Sequence, residues 1–432
     1  MTPYAELLSR LLPARRFGVV LGLERVRAVL DRLGDPDARM GTVIHIAGTN
    51  GKGSTVAMIS AMLQPHLRVA SYTSPHLSCL RERIVIDGEM VSEEVIVDAG
   101  ERVRAAGGDE LTFFEQVTAI ACVAIADASV DVSILEVGLG GRLDATNTVD
   151  AQIAVVTGVA MDHEAILGRT LADIATEKAG IFAPGQRAVI GASGEPAAVP
   201  LLREAANVVS HVASHITVID EDMIAAVPPL AMPGAHQRRN AAAALAVIDH
   251  LEALKIVKVP KDERKAALAA VRHPGRYEVI DDVILDGAHN PHGAGVLADT
   301  LRERDVRPVL VTAISADKDV RGIAAVLAPA VRAVVATRYQ QDRAMDPAEL
   351  AAIFAEAGAA LYRVSPDRPD SRAELWSVSH APDLAAALAA ARALGGPILV
   401  AGSLFLVGEA RVILLNAPAD PFVVTDPAAV AP

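Results

Sequence analysis

The chain has only two cysteines, Cys79 and Cys122, in 432 residues, too few and too far apart for a disulfide framework. A reduced, cytosolic setting is the simpler expectation. His76 lies three residues before Cys79, but one such pair without a second does not make a zinc site. Aromatic residues are only 3% against 52% hydrophobic, so the interior must be built of Ala, Val, Leu and Ile, which suits helices packed tightly on sheets. Cations are outnumbered: 40 Lys and Arg face 53 Asp and Glu, a formal net charge of -13. That balance argues against a nucleic-acid surface or an anionic membrane as partner, since both need clustered positive charge. No apolar run approaches the roughly 18 residues of a membrane helix. The opening MTPYAELLSRLLPARRFG interrupts its apolar positions with Glu6, Arg10, Arg15 and Arg16, a surface helix and not a secretory signal.

Within this background, Val43–Ser54 (VIHIAGTNGKGS) stands out. An apolar strand pattern runs into a glycine-rich turn and then a helical pattern over Thr55–Leu63, which is how a phosphate-binding loop is built. Glycines let successive N–H groups converge on an anion, and Lys52 would reach the outer phosphates. The fit to G-x-x-x-x-G-K-[ST] is imperfect: Ile46 stands where the first glycine belongs, and Gly53 intervenes before Ser54. Helical spacing covers Leu21–Leu33, ending at Gly34. Arg68–Tyr72 reads as a strand, and Asp87-Gly88 inside Arg83–Val91 signals a hairpin. Leu111–Ala126 is a helix opened by a Thr112/Glu115 capping box. Asp131–Val137, Ile153–Val159 and Ala188–Gly191 are strands, Leu171–Ala179 a helix.

The alternation restarts after His273-Pro274-Gly275. Strands are expected at Val283–Asp286, Val309–Ala313, Val331–Thr337 and Ile398–Ala401, with helices at Gly295–Arg304, Pro347–Ala357 and Leu384–Leu394 between them. Such alternation implies an α/β fold with mostly parallel sheets. The division is drawn as residues 1–275 and 276–432, with a loosely attached tail from about residue 416. The stretch Ala192–Pro233 carries no motif.

GTNGKGS, TSPHL, LTFFE, LEVGLGGRLDATN, MDHEAILG, EKAGIF, LDGAHNP, DKDV and GSLFLVGEAR follow one another here in the order found in folylpolyglutamate synthase and bifunctional dihydrofolate synthase/folylpolyglutamate synthase. The chain thus resembles that family of the Mur ligase superfamily from about Phe17 to about Arg411. The resemblance implies an N-terminal P-loop ATPase domain joined to a smaller Rossmann-like C-terminal domain. It implies a C–N ligase in which a carboxylate attacks the γ-phosphate of ATP and the amine of L-glutamate then displaces phosphate.

By resemblance, Thr49, Asn50, Gly51, Lys52, Gly53 and Ser54 cradle the ATP phosphates, with Asn240, Arg276, Asp286 and His289 as further ATP-site residues. Glu136 ends an apolar strand, where a buried carboxylate needs a partner; magnesium is the implied one, held also by Ser74 and His163. Lys178 matches a lysine that the family carbamylates, and two metal ions are the family's arrangement. Lys52, Glu136, His163 and Lys178 are the catalytic set so implied. Thr112, Phe113, Phe114, Glu115, Leu143, Asp144 and Ala145 match the pterin side of the substrate pocket; from the residues alone, Phe113 and Phe114 could equally be core. The implied substrates are dihydropteroate, reduced folates and L-glutamate, with ATP and Mg²⁺ and with a cytoplasmic monomer as the default. A monofunctional folylpolyglutamate synthase, a cell-wall Mur ligase and a non-catalytic ATP-binding regulator remain alternatives. Against the cell-wall ligase, only about 40 residues precede the loop.

Overall fold

Apolar runs without alternation make strands buried on both faces, and such strands form the centres of the sheets here. The computed structural model describes residues 1–14, 22–210, 212, 215–363 and 376–421. Arg15, Arg16 and Phe17 lie outside the described residues. The described residues divide into two units: the first takes in Met1–Ala231, His236–Val271 and Asp420, the second Met232–Ala235 and Arg272–Ala419.

In the first unit the strands are β1 (Thr42–Ala47), β2 (Val69–Tyr72), β3 (Ile84–Ile86), β4 (Glu89–Met90), β5 (Val132–Glu136), β6 (Ile153–Val156), β7 (Arg187–Ile190) and β8 (Ile216–Val218). Their order across the sheet is β4-β3-β2-β5-β1-β6-β7-β8. From β2 to β8 every pairing is parallel, while β3 and β4 add antiparallel at one edge. Asp87 and Gly88 turn between β3 and β4 with φ of 50° and 86°, the pair of left-handed residues that a two-residue hairpin requires.

One core cluster packs Leu8, Leu11, Val29, Leu30, Ile96 and Phe113 together with β2 residues, and another packs Ile174, Leu202 and Phe182 with β6 and β7. The helix Phe113–Ala128 is opened by the capping box read from the sequence, Thr112 and Glu115 each bonding the other's backbone. Asp420 lies in the tail expected to be loose from about residue 416, and it is bonded within the first unit. The carboxylate of Asp420 accepts from the Tyr4 hydroxyl at 2.8 Å and from the Leu80 N–H at 2.9 Å, because a partly buried acid is stable only with donors around it. Residues 422–432 lie outside the described residues.

The second unit contains β9 (Glu278–Ile280), β10 (Val283–Asp286), β11 (Val309–Thr312), β12 (Ala333–Ala336), β13 (Ser377–His380) and β14 (Ile398–Ala401), in the order β13-β12-β11-β14-β10-β9. All but β9 run parallel. Both units are therefore open α/β sheets, in which ligands bind outside the carboxyl ends of parallel strands.

Candidate active site

That rule explains why motifs far apart in sequence come together. β2, β5, β1, β6 and β7 are neighbours in that order, so the segments leaving their carboxyl ends, which begin at Thr73, Val137, Gly48, Thr157 and Gly191, line one edge of the first unit.

The loop after β1 is held closely. Gly48 has φ of 148° and abuts Thr157; a Cβ there would lie 1.9 Å from the threonine hydroxyl oxygen. Gly51, at φ 85°, is the left-handed residue that starts the helix Lys52–Leu63. Thr49 is clamped to the segment after β6: its N–H donates to the Gly158 carbonyl at 2.9 Å and its hydroxyl to the Ala160 carbonyl at 3.1 Å. The Thr157 hydroxyl donates to the Asn50 carbonyl at 2.6 Å. Lys52 begins the helix, three positions earlier in the chain than the helical pattern suggested, and its Nζ donates to the Gly48 carbonyl at 3.1 Å.

Glu136, the last residue of β5, is in register with Ile46 on β1 and only 5% exposed. One carboxylate oxygen stands 3.9 Å from Lys52 Nζ, and the other accepts from the Ser74 N–H at 3.3 Å. Ser74, Glu136 and Lys52 are thus gathered at one point. Lys178 lies in the last turn of Leu171–Ala179, buried. Burial, and next the charge of Lys52, push its amine down to about 7 against the pull of Asp162 and Asp144. His163 follows β6 with φ of 50°, its N–H donating to the Asp162 carboxylate at 2.9 Å. Among the described residues, no group of three His, Cys, Asp or Glu side chains stands close enough to hold a metal.

Asn240, on the helix Ala235–Ala253, touches the phosphate loop: a Cβ at Gly51 would lie 2.3 Å from its side-chain oxygen. Arg276, Asp286 and His289 belong to the second unit. There the Asp286 carboxylate accepts from the Tyr277 and Ala288 N–H groups, both at 2.9 Å. Burial raises its pKa and the Arg276 charge opposes this. The His289 Nδ1 lies 2.8 Å from the Gly287 carbonyl oxygen.

The pterin-side set divides. Phe113 is fully buried in the core, with the Arg83 guanidinium 5.4 Å from its ring centroid. Thr112 and Glu115 are likewise consumed by the fold. Glu115 accepts from the Thr112 N–H and from Arg25, each at 2.7 Å. Asp144 accepts from the N–H groups of Gly138, Leu139 and Thr146 and from the Thr146 hydroxyl; it shapes its own loop, and Ala145 is buried beside it. Phe114 and Leu143 are half-buried. The Phe114 ring lies over Gly138, where a Cβ would come within 2.4 Å, so LTFFE and the GLGG turn meet two residues beyond Glu136.

Sequence reasoning missed Thr157, Ser193 and Gln237. Gln237 stands three residues before Asn240 on one helix, a spacing that puts both on one face, and this was the signal available. Ser193 lies in the stretch without a motif.

Two family descriptions match the chain: the Mur ligase middle domain over residues 46–213 and the Mur ligase glutamate ligase domain over residues 275–404. A dihydrofolate synthase/folylpolyglutamate synthase of Mycobacterium tuberculosis is 35% identical over 92% of this chain and 90% of its own length. A probable bifunctional folylpolyglutamate synthase/dihydropteroate synthase of Halobacterium salinarum is also 35% identical over 94% of this chain, which spans 51% of that protein. Among solved structures, the M. tuberculosis folylpolyglutamate synthase with ADP gives a TM-score of 0.81 at 31% identity, covering 96% of this chain and 100% of the other. Escherichia coli FolC with DHPP and ADP gives 0.79 at 29%, covering 96% and 98%. A bifunctional folylpolyglutamate synthase/dihydrofolate synthase with Mn, AMPPNP and L-glutamate bound gives 0.74 at 29%, covering 92% and 95%. With motifs, sheet order and relatives agreeing over nearly the whole chain, the protein belongs to the dihydrofolate synthase/folylpolyglutamate synthase family of Mur ligases.

Proposed function

We propose that the chain is an ATP-dependent acid–amino-acid ligase that adds L-glutamate to dihydropteroate, giving dihydrofolate, and to reduced folates, giving folylpolyglutamates. The observation that carries this reading is the approach of Lys52 Nζ to Glu136, 3.9 Å apart at the mouth of the glycine loop. A carboxylate attacking a phosphoryl group brings two anions together, so fixed cations must neutralise both and hold them in line. Lys52 supplies one such charge against the outer phosphates. The substrate oxygen forms a bond to the γ-phosphorus as ADP leaves; the glutamate amine then forms the amide as phosphate leaves.

The residues at Glu136 suit magnesium. A carboxylate and the Ser74 hydroxyl make a sparse oxygen set, fitting a hard cation that keeps waters and takes phosphate oxygens in place of an all-protein cage. Bound there, it would neutralise charge across the phosphates. His163 and a carbamylated Lys178 complete the proposed set, with two ions. A buried amine pushed down to about 7 is neutral often enough near neutrality to add CO₂, which supports the carbamate. Phe114 and Leu143 are the proposed pterin-side contacts, and Arg276, Asp286 and His289 the proposed nucleotide contacts from the second unit on the strength of their motifs. That ADP, DHPP, AMPPNP, Mn and L-glutamate occupy the solved relatives supports the same ligand classes here. We place the protein in the cytoplasm as a monomer; among the described residues no helix is long and apolar enough to cross a membrane.

The test is release of phosphate from ATP. It should require L-glutamate together with dihydropteroate or a reduced folate, and equal release with no acceptor would overturn the ligase reading.

A further inference from the structure

Four buried polar side chains form a chain that ends on the phosphate loop. The Ser193 hydroxyl donates to Oδ1 of Asn240 at 2.7 Å. Nδ2 of Asn240 donates to Oε1 of Gln237 at 3.1 Å, and Nε2 of Gln237 donates to the Ser54 oxygen at 3.3 Å. All four residues are buried, Asn240 and Gln237 almost completely. At the far end Ser193 is anchored by its own N–H to the Thr157 carbonyl at 2.9 Å, the same residue that abuts Gly48.

The direction of this chain has a chemical consequence. A primary amide has an acceptor side and a donor side. Once Ser193 gives its proton to Asn240, both amides are oriented, and Ser54 is met by an N–H. A hydroxyl whose oxygen accepts has its own proton left to give. A proton left to give in the first turn of an uncapped helix suits an anion, not a cation.

We propose that Gln237 and Ser193 are positioning residues that set the Ser54 hydroxyl as a hydrogen-bond donor to a nucleotide phosphate. This rests on the reading of residues 48–54 as an ATP phosphate loop. Neither residue touches the reacting atoms; Ser193 acts through Asn240, and Gln237 through Ser54.

The experiment is a double-substitution cycle on the full chain, with ADP affinity read by calorimetry. Gln237→Met keeps the length of the side chain and removes the N–H that meets Ser54. It should weaken ADP about tenfold, the scale of one hydrogen bond to a charged phosphate. In a Ser54→Ala background the hydroxyl to be oriented is gone, and the same substitution should change affinity by less than about twofold. Ser193→Thr, which keeps the hydroxyl, should restore most of what Ser193→Ala loses. An equal loss from Gln237→Met in both backgrounds, as general damage to the loop would produce, overturns the proposal. So does undiminished ADP binding by Gln237→Met alone. A wild-type chain that fails to bind ADP would refute the phosphate-loop reading itself, so the two failures are told apart.

Discussion

Two helices in the first unit begin in opposite ways. At Thr112–Glu115 the first turn is closed by its own side chains, the threonine hydroxyl on one N–H and the glutamate carboxylate on another. At Gly51–Lys52 no side chain caps the helix; a glycine turn and a lysine stand there instead. The first turn of a helix exposes unsatisfied N–H groups and positive potential. A capping box uses these for folding, whereas an uncapped start leaves them for an outside anion. Both segments look equally like motifs in the sequence. What separates them is whether the polar atoms are already satisfied.

Breaking the uncapped side of this comparison should have the largest effect. Lys52→Met removes the loop's charge and leaves backbone packing intact. Ligation should fall by on the order of a thousandfold, the scale seen when one donor to a developing charge is lost, with the melting temperature nearly unchanged. Steady-state turnover beside a thermal melt checks this. A fall in both would mean that Lys52 is structural.

Legibility in the sequence followed the same division. Strands β10 and β14 carry continuous apolar runs, and the expected bounds, Val283–Asp286 and Ile398–Ala401, coincide with the observed ones. β8, β9 and β13 went unread because edge strands are only half covered and need no such run; β13, Ser377–His380, is largely exposed. Glu136 could be singled out because an acid ending an apolar strand is anomalous by itself. Ser193 and Gln237 could not, since their importance lies in a contact between segments distant along the chain. For Phe113 the residues alone already allowed a core role beside the pterin side that the resemblance implies, and the ring is packed inside the core.

Phe113 and Phe114 sharpen the comparison at intermediate scale. Phe113→Leu should cost about 1–2 kcal/mol of stability, the scale for a reshaped core side chain, while leaving the KM for the pterin substrate unaltered. Phe114→Leu should do the reverse, raising that KM with little loss of stability. Denaturant unfolding and acceptor titration on both variants decide it, and a KM effect at Phe113 would return that ring to the pocket.

The smallest effect is expected at Glu115, and it tests the capped side most directly. Glu115→Gln keeps an oxygen able to accept from the Thr112 N–H, so the box survives. Arg25 donates to the other carboxylate oxygen, which the amide replaces with an NH2, so that bond is lost with the charge; with Arg25 41% exposed in its side chain the pair contributes less than about 1 kcal/mol. Stability should therefore drop slightly, and the KM values for pterin, ATP and glutamate should all stay within about twofold, since the partner outside the turn that loses a bond is Arg25 and not a substrate. A glutamate that touched substrate would behave differently: its amide would raise the pterin KM severalfold at unchanged stability. A capped start would then also be a binding surface, and the division between the two helices would no longer hold.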